Sequence, residues 1–290
     1  MKKNIAVLLL VVLTISMFTA CSGGDASAFD SKKDITVVSR EDGSGTRGAF
    51  IELFGIEQKN EDGTRKDLTT KEAIIAKQTD VMMTNISGDK YAIGYISLGS
   101  LNDTVKALQI DGVVPSAENV INGTYSIARP FNIATKGEAT ELAKDFIDFI
   151  LSNEGQAVVA NSYIAVSENA LTYAGNKPSG KIVVAGSSSV TPIMEKLKEA
   201  YVLVNPGATI EIQLSDSSAG ITGVIDGTCD IGMASRELKE SELEQLTSIQ
   251  IALDGITIIA NHDNPTVNLT KEQVRAIFTG EMLKWSEVSK

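Results

Sequence analysis

Apolar residues follow two rhythms along this chain. Continuous apolar and β-branched runs at residues 35–39 (ITVVS), 91–96 (YAIGYI), 105–110, 131–135 (FNIAT), 181–185 and 209–214 have the length and composition of strands. Between them, apolar positions recur every three or four residues. Phe50, Leu53 and Phe54 mark one helix face, and Phe146, Ile147 and Ile150 mark another within residues 142–151. Ile193, Leu197, Ala200, Tyr201 and Val204 form a third face, and Ile221, Val224 and Ile225 a fourth. Residues 152–155 break the second helix before 156–160 resume it, and Asn205-Pro206-Gly207 ends the third. Thr69-Thr70-Lys71-Glu72 reads as a capping box that opens a helix carrying Ala73, Ile74 and Lys77. Thr270-Lys271-Glu272-Gln273 reads as a second, opening residues 273–278. Strands alternating with helices predict an α/β architecture.

Three of the strand-to-helix turns share one chemistry. The first is SREDGSGTRGAF, in which Arg40 precedes Gly43, Ser44, Gly45 and Thr46. The second is Gly186-Ser187-Ser188-Ser189-Val190-Thr191-Pro192, where Thr191 suits an N-cap and Pro192 the first helical position. The third is Ser215-Asp216-Ser217-Ser218-Ala219-Gly220. Glycines let backbone N–H groups turn inward, hydroxyls add donors, and a helix start supplies unpaired N–H groups with a positive dipole end. An arginine adds a planar fork of donors suited to a tetrahedral oxyanion. Ligands in open α/β sheets collect beyond the carboxyl ends of strands. If the three helix starts meet, they form a cage of neutral dipoles around one cation.

Composition narrows the partners. The 290 residues suffice for two lobes, and 43% apolar with 22% charged content fits a globular protein. A net charge of −11 supplies no basic field for nucleic acid or an anionic membrane. Lys2 and Lys3 followed by an apolar stretch to Met17 read as a signal peptide, residues 1–20. Phe18-Thr19-Ala20-Cys21 resembles a bacterial lipobox, with Phe18 where leucine is usual, so Cys21 is expected to carry lipid and residues 21–30 to form a tether. Cys229, in GTCDIGM, then has no disulfide partner and reads as a buried, inert thiol. The single histidine, His262, falls in a turn-like NHDNP loop, and no metal cluster is visible. Trp285 reads as a packing residue. Gly175 to Lys181 matches most of a phosphate-binding P-loop, but Ile182 and a strand follow where Ser or Thr and a helix are required. That reading is rejected.

SREDGSGTRGAF, GSSSVTPIMEKL, SDSSAG, DIGMASREL and IFTG followed by Trp285 resemble the phosphate-binding lipoproteins of bacterial phosphate ABC transporters, over nearly the whole mature chain. The resemblance implies a two-lobed periplasmic-binding-protein fold of the second type, each lobe a sheet flanked by helices, with phosphate in the cleft between lobes. Position by position, Arg40, Ser44, Gly45 and Thr46 match the family's arginine and its Ser-Gly-Thr donors. Ser188 and Ser189 match the first donor turn, and Ser217 matches the next. The implied partners are inorganic phosphate and the permease and ATPase subunits of the transporter. The protein is then a monomer without a cofactor, held at the extracytoplasmic face of the cell membrane through Cys21.

Two departures qualify the resemblance. Ser235 stands where the family has an aspartate that accepts the phosphate proton, so Asp42 or Asp216, each beside a donor turn, is expected to serve as acceptor. Arg236 is either a ligand contact or a surface residue of the acidic segment 237–244. The second departure is motif order, since SREDGSGTR leads here and GSSSVTP follows. A circular permutation accounts for this, with lobes of residues 31–124 plus 256–290 and 125–170 plus 181–255, joined by a connector at 171–180. A truncated tandem product that completes its cleft with a second copy is the alternative. Three function classes follow: a phosphate receptor of a transporter, a sensor or receptor for another oxyanion of the sulfate, molybdate or tungstate class, and a phosphate-handling enzyme. The enzyme would need a metal cluster or an activated nucleophile with its base.

Overall fold

The computed structural model describes residues 28–60, 64–167 and 170–288; the leader and Cys21 lie outside them. The chain divides into Met1–Asp30 and Ser31–Lys290, and the architecture is that of the second unit. It opens with β1 (Thr36–Arg40) and α1 (Gly45–Leu53), then a hairpin of β2 (Glu57–Lys59) and β3 (Arg65–Asp67). β4 (Ile74–Ala76), α2 (Thr79–Gly88) and β5 (Ala92–Ser97) follow, then short β6 (Lys106–Ala107), β7 (Gln109–Ile110) and α3 (Ala117–Ile121). The second lobe holds β8 (Ala128–Thr135), α4 (Glu141–Leu151), α5 (Asn153–Ala160), β9 (Gly180–Ser187), α6 (Thr191–Val204), β10 (Ala208–Ser215), α7 (Ser217–Ile225), β11 (Ile231–Ala234) and α8 (Glu240–Leu243). β12 (Thr247–Ala260) returns to the first lobe, which β13 (Asn268–Leu269), α9 (Lys271–Thr279) and α10 (Trp285–Val288) complete.

One sheet path, β10-β9-β11-β8-β12-β5-β1-β4, runs through both lobes. β12 joins them. Its residues from Thr247 to Gly255 pair antiparallel with β8, and those from Ile256 to Ala260 pair antiparallel with β5. Parallel pairs flank these antiparallel ones, β1 with β4 and β5 in the first lobe and β9 with β10 and β11 in the second, while β11 pairs antiparallel with β8. Parallel strands need crossover helices, and these cover the faces of the sheets. In the second lobe Phe146, Phe149, Ile150, Leu197 and Tyr201 pack on one face, while Ile221, Val224 and Cys229 pack on the other. In the first lobe Val38, Met82, Ile86 and Ile96 make the matching core. Fully burying an aliphatic or aromatic side chain of this kind contributes about 1.5–3 kcal/mol. Trp285 is buried, and its indole N–H donates to the Tyr91 carbonyl at 3.0 Å.

Three local expectations change. Residues 73–77 are not helical. Ile74–Ala76 is an extended edge strand beside Val38, Ser39 and Arg40, and the helix begins only at Thr79. Thr70 caps a single turn, its hydroxyl accepting the Glu72 N–H at 3.4 Å, while its own N–H donates to the Phe278 carbonyl. Ladder bonds to a neighbouring strand outweigh a local capping signal. Residues 105–110 form two short strands, which pair with β12 and β13 respectively. Helix α6 is capped one residue early, at Val190, and the Thr191 hydroxyl instead donates to the Ser187 carbonyl at 3.0 Å. The Thr270–Gln273 box is formed and opens α9 at Lys271.

Candidate anion-binding site

Each donor turn has its own local cause. β1 delivers Arg40 to the cleft, where the Arg40 N–H donates to the Tyr95 hydroxyl at 3.1 Å. Tyr95 is stacked on Phe50 at 3.8 Å and leans on Phe278, so an aromatic pack fixes the end of the strand. Burial pushes the Tyr95 hydroxyl upward in pKa, which keeps it neutral and able to bond the Ser39 hydroxyl at 2.9 Å. Ser44 caps α1, its hydroxyl accepting the Arg47 N–H at 3.3 Å. Gly186 holds φ +136°, and a Cβ there would lie 2.4 Å from the Met233 carbonyl oxygen. Asp216 caps α7 through the Ala219 N–H at 2.8 Å. The Gly43 carbonyl then accepts the Ser218 N–H at 3.2 Å, which ties the first turn to the third.

The turns converge. The Thr46 hydroxyl is 2.8 Å from that of Ser189 and 3.5 Å from that of Ser235. The Ser187 hydroxyl donates to Ser235 at 3.0 Å, and Ser217 lies 3.4 Å from Ser235. Arg40 Nη2 donates to Ser188 at 2.9 Å. Gly45 is needed where it stands, since a Cβ would fall 2.4 Å from Ser217 Oγ and 2.8 Å from Ser235 Oγ. Arg40, Ser44, Thr46, Ser188, Ser189, Ser217 and Ser235 are all buried. The Arg40–Ser188 and Thr46–Ser189 bonds run from one lobe to the other, so lobe separation would break them.

The field at this point is positive. Helices α1, α6 and α7 start at the cluster, and so does α2, whose first residue Thr79 sits 3.4 Å from both Ser188 and Ser189 and 3.5 Å from Arg40 Nη1. Four helix N-termini add their dipole ends to the guanidinium of Arg40, which is 1% exposed. Glu41 offsets part of that charge. Its carboxylate accepts Arg40 Nε and Nη2, both at 2.8 Å, leaving the Nη1–Nη2 edge toward Thr79 and Ser188. A cavity of about 370 Å³ lined by Glu41, Gly43, Lys77, Gln78, Ser215 and Asp216 opens beside the cluster. A desolvated tetrahedral oxyanion is the ligand that such a set of donors satisfies.

The profile of the PBP superfamily domain matches residues 25–154 and 171–290. Phosphate-binding protein PstS 2 of Streptococcus agalactiae serotype V is 52% identical over 296 residues, covering 100% of both chains. Phosphate-binding protein PstS 2 of Streptococcus pneumoniae serotype 4 is 44% identical, covering 97% of this chain and 98% of its own. This chain belongs to that family. The crystal structure of a phosphate ABC transporter, phosphate-binding protein from Streptococcus pneumoniae TIGR4 superposes with a TM-score of 0.70 at 46% identity, over 88% of this chain and 99% of that one. The fold is accordingly the two-lobed periplasmic-binding-protein type. The relatives are named as binding proteins rather than enzymes.

Three sequence-derived candidates in this family member have their charged ends engaged by partners outside the hydroxyl cluster, although Asp216 also lines the adjoining cavity. Asp42 has a 97% exposed side chain and pairs with Arg47 at 2.6 Å. Asp216 points its carboxylate at the α7 N-terminus and the Gly43 backbone. Arg236 lays its stem beside Gly45 but forks onto Glu242 at 2.8 and 2.9 Å. The carboxylate that touches the cluster is Glu41. Sequence reading missed it, along with Thr79, Ser187 and Tyr95. Glu41 sits next to Arg40 inside the quoted motif, so adjacency was the available signal; Thr79 was hidden by the false helix start ten residues earlier. Cys229 is a buried free thiol whose pKa burial raises, and His262 is exposed, its Nε2 2.9 Å from the Asp103 carbonyl. Among the described residues no cluster of His, Cys, Asp or Glu is arranged to hold a metal ion.

Proposed function

We propose that this chain captures inorganic phosphate in the cleft between its lobes and delivers it to the permease and ATPase subunits of a phosphate ABC transporter. The observation that carries the reading is the meeting of Arg40 with buried hydroxyls contributed by both lobes. An anion bound there takes Arg40, Thr46, Ser188, Ser189, Ser217, Ser235 and the N–H groups around Ser44 and Gly45 as donors. Each charge-assisted bond is worth about 1.5–3 kcal/mol, and together they replace the hydration that the anion gives up. Ligand bonds to both lobes favour the closed arrangement, and the hinges are the two crossings near residues 125–128 and near Gly255–Ile256. The lobes are then residues 31–124 plus 256–290 and 125–170 plus 181–255, with 171–180 as connector. Cys21 anchors the chain by lipid on the extracytoplasmic face, and it works as a monomer.

The motif order is that of a circular permutation. Segments at the proposed new ends run side by side: the Ser286 N–H donates to the Ser31 carbonyl at 2.7 Å and the Ile35 N–H to the Leu283 carbonyl at 2.8 Å. Neighbouring, exposed ends make such a rearrangement tolerable. The end-to-end match with the Streptococcus agalactiae relative supports a shared order.

A receptor for another tetrahedral oxyanion is the second reading, favoured by the neutral Ser235 in the cage. Calorimetric titration of the mature chain with phosphate, arsenate, sulfate and molybdate separates the two. The phosphate reading expects one site per chain, with phosphate and arsenate bound well ahead of sulfate. Sulfate or molybdate binding tighter than phosphate overturns it, and half a site per chain points to the tandem product instead.

A further inference from the structure

Behind the cage lies a buried ion pair that the ligand-binding reading does not use. β8 and β12 cross between the lobes side by side, and their register sets Arg129 opposite Asp254. Both are at most 3% exposed. Arg129 Nη2 donates to Asp254 Oδ2 at 3.2 Å. The other Asp254 oxygen accepts the Ser97 hydroxyl at 3.0 Å and the Gly99 N–H at 3.3 Å, both from the first lobe. Arg129 Nη1 donates to the Ser235 carbonyl at 2.9 Å, in the second lobe.

That last bond matters because of where β11 stops. Its pairing with β8 ends at Ala234 opposite Asn132, so Ser235 is one residue past the last rung. A buried carbonyl without a partner costs about 1–3 kcal/mol, and Arg129 provides the partner. The Ser235 N–H is held by Ser217 Oγ at 3.1 Å. Between these two anchors the Ser235 hydroxyl is aimed at Thr46, Ser187 and Ser217.

The pair is expensive for a mere staple. Arg129 Nε is buried without a hydrogen-bond partner, and a buried ion pair is often no more stabilising than well-packed apolar side chains of the same volume. We propose that Arg129, oriented by Asp254, is a positioning residue of the anion site: it fixes Ser235 through its carbonyl and references that hydroxyl to the first lobe through Ser97 and Gly99. This rests on the phosphate reading above.

A double-mutant cycle on the mature chain, read by phosphate calorimetry, tests it. Ser235→Ala weakens phosphate by about tenfold in the wild-type background. In an Arg129→Lys background, where one ammonium cannot fork between Asp254 and the Ser235 carbonyl, the same change costs less than about twofold. Ser188→Ala, which removes the hydroxyl bonded to Arg40 and not to Ser235, keeps its full effect in both backgrounds. If Arg129→Lys does not fold, Arg129→Met with Asp254→Leu replaces the pair by apolar volume and takes its place in the cycle. Additive effects of Ser235→Ala and the Arg129 change overturn the inference while leaving the phosphate reading intact. Equal loss of coupling at Ser188 also overturns it, because a purely structural role acts on every contact alike. A wild-type chain that binds no phosphate overturns the phosphate reading itself, and the inference with it.

Discussion

The cleft around Arg40 and the cluster around Asp145 are both buried polar constellations centred on one charge, and they are satisfied in opposite ways. Asp145, in α4, accepts hydrogen bonds from the hydroxyls of Tyr173 and Tyr201 and from the Asn176 N–H, the last two at 2.7 and 2.9 Å. Asn205 extends the cluster, donating to the Tyr201 hydroxyl at 2.9 Å and to the Pro178 carbonyl at 3.0 Å. Burial and the carboxylate push Tyr201 up to about 12 and raise Tyr173 as well, so both stay protonated as donors. Every partner lies between Tyr173 and Asn205 in sequence, close to the cluster along the chain. Around Arg40 the partners come from both lobes, and most of the cage bonds join one neutral hydroxyl to another. A hydroxyl can exchange such a bond for one to an anion at little cost, whereas the Asp145 carboxylate has nothing better to exchange for. One cluster fastens the chain; the other is free to take a ligand.

Removing the two charges in turn separates the two clusters most strongly. Arg40→Met is expected to weaken phosphate binding by more than about a hundredfold, since a buried charged donor is lost. Its thermal midpoint should shift by only a few degrees, and calorimetry with a melt in parallel reads both. Asp145→Ala is expected to do the reverse. Two tyrosine hydroxyls lose their acceptor, costing about 3 kcal/mol in a urea titration, with phosphate affinity within about twofold of wild type. A large affinity loss at Asp145, or a large stability loss without an affinity loss at Arg40, would collapse the distinction.

Two substitutions inside the cleft have smaller effects. Gly45→Ala pushes a Cβ to within 2.4 Å of Ser217 Oγ, so the third turn must retreat from the first. Phosphate affinity should fall by about tenfold, in line with the loss of one charge-assisted hydrogen bond, while stability without ligand drops by less than about 2 kcal/mol. Glu41→Gln keeps the size of the Arg40 partner but removes its partly exposed charge and one of its two acceptors. The preference for phosphate over sulfate should narrow by about threefold, measured by competition, because a repulsive element against fully ionised anions is gone. An unchanged ratio would return the discriminating role to neutral groups such as Ser235.

The three hydroxyl-rich turns were legible because their signals are local. A β-branched run, a glycine–serine stretch and a helical apolar period occupy about twenty residues each, and none needs a distant partner to be recognised. The same locality misled at Thr69–Glu72, where a sound capping pattern lies beside an open sheet edge. The hydrogen bonds from β1 reached Ile74–Ala76 first. Thr79 was lost with it. Asp42 and Asp216 looked like acceptors because they flank donor turns, yet flanking in sequence says nothing about the side on which a carboxylate lands. Arg47 drew off the first and the α7 N-terminus the second.

The residues themselves determined the architecture class, the three donor turns and the cation among them, because propensity, period and capping act over a few residues. Which of these meet was set by packing between distant segments. Ser188 and Arg40 lie 148 residues apart, Thr46 and Ser235 189, and Arg129 and Asp254 125. Their contacts depend on β12 running unbroken through both lobes and on the ends of parallel strands reaching one cleft. Such long-range closure is written in packing and sheet register, which no short stretch of sequence contains.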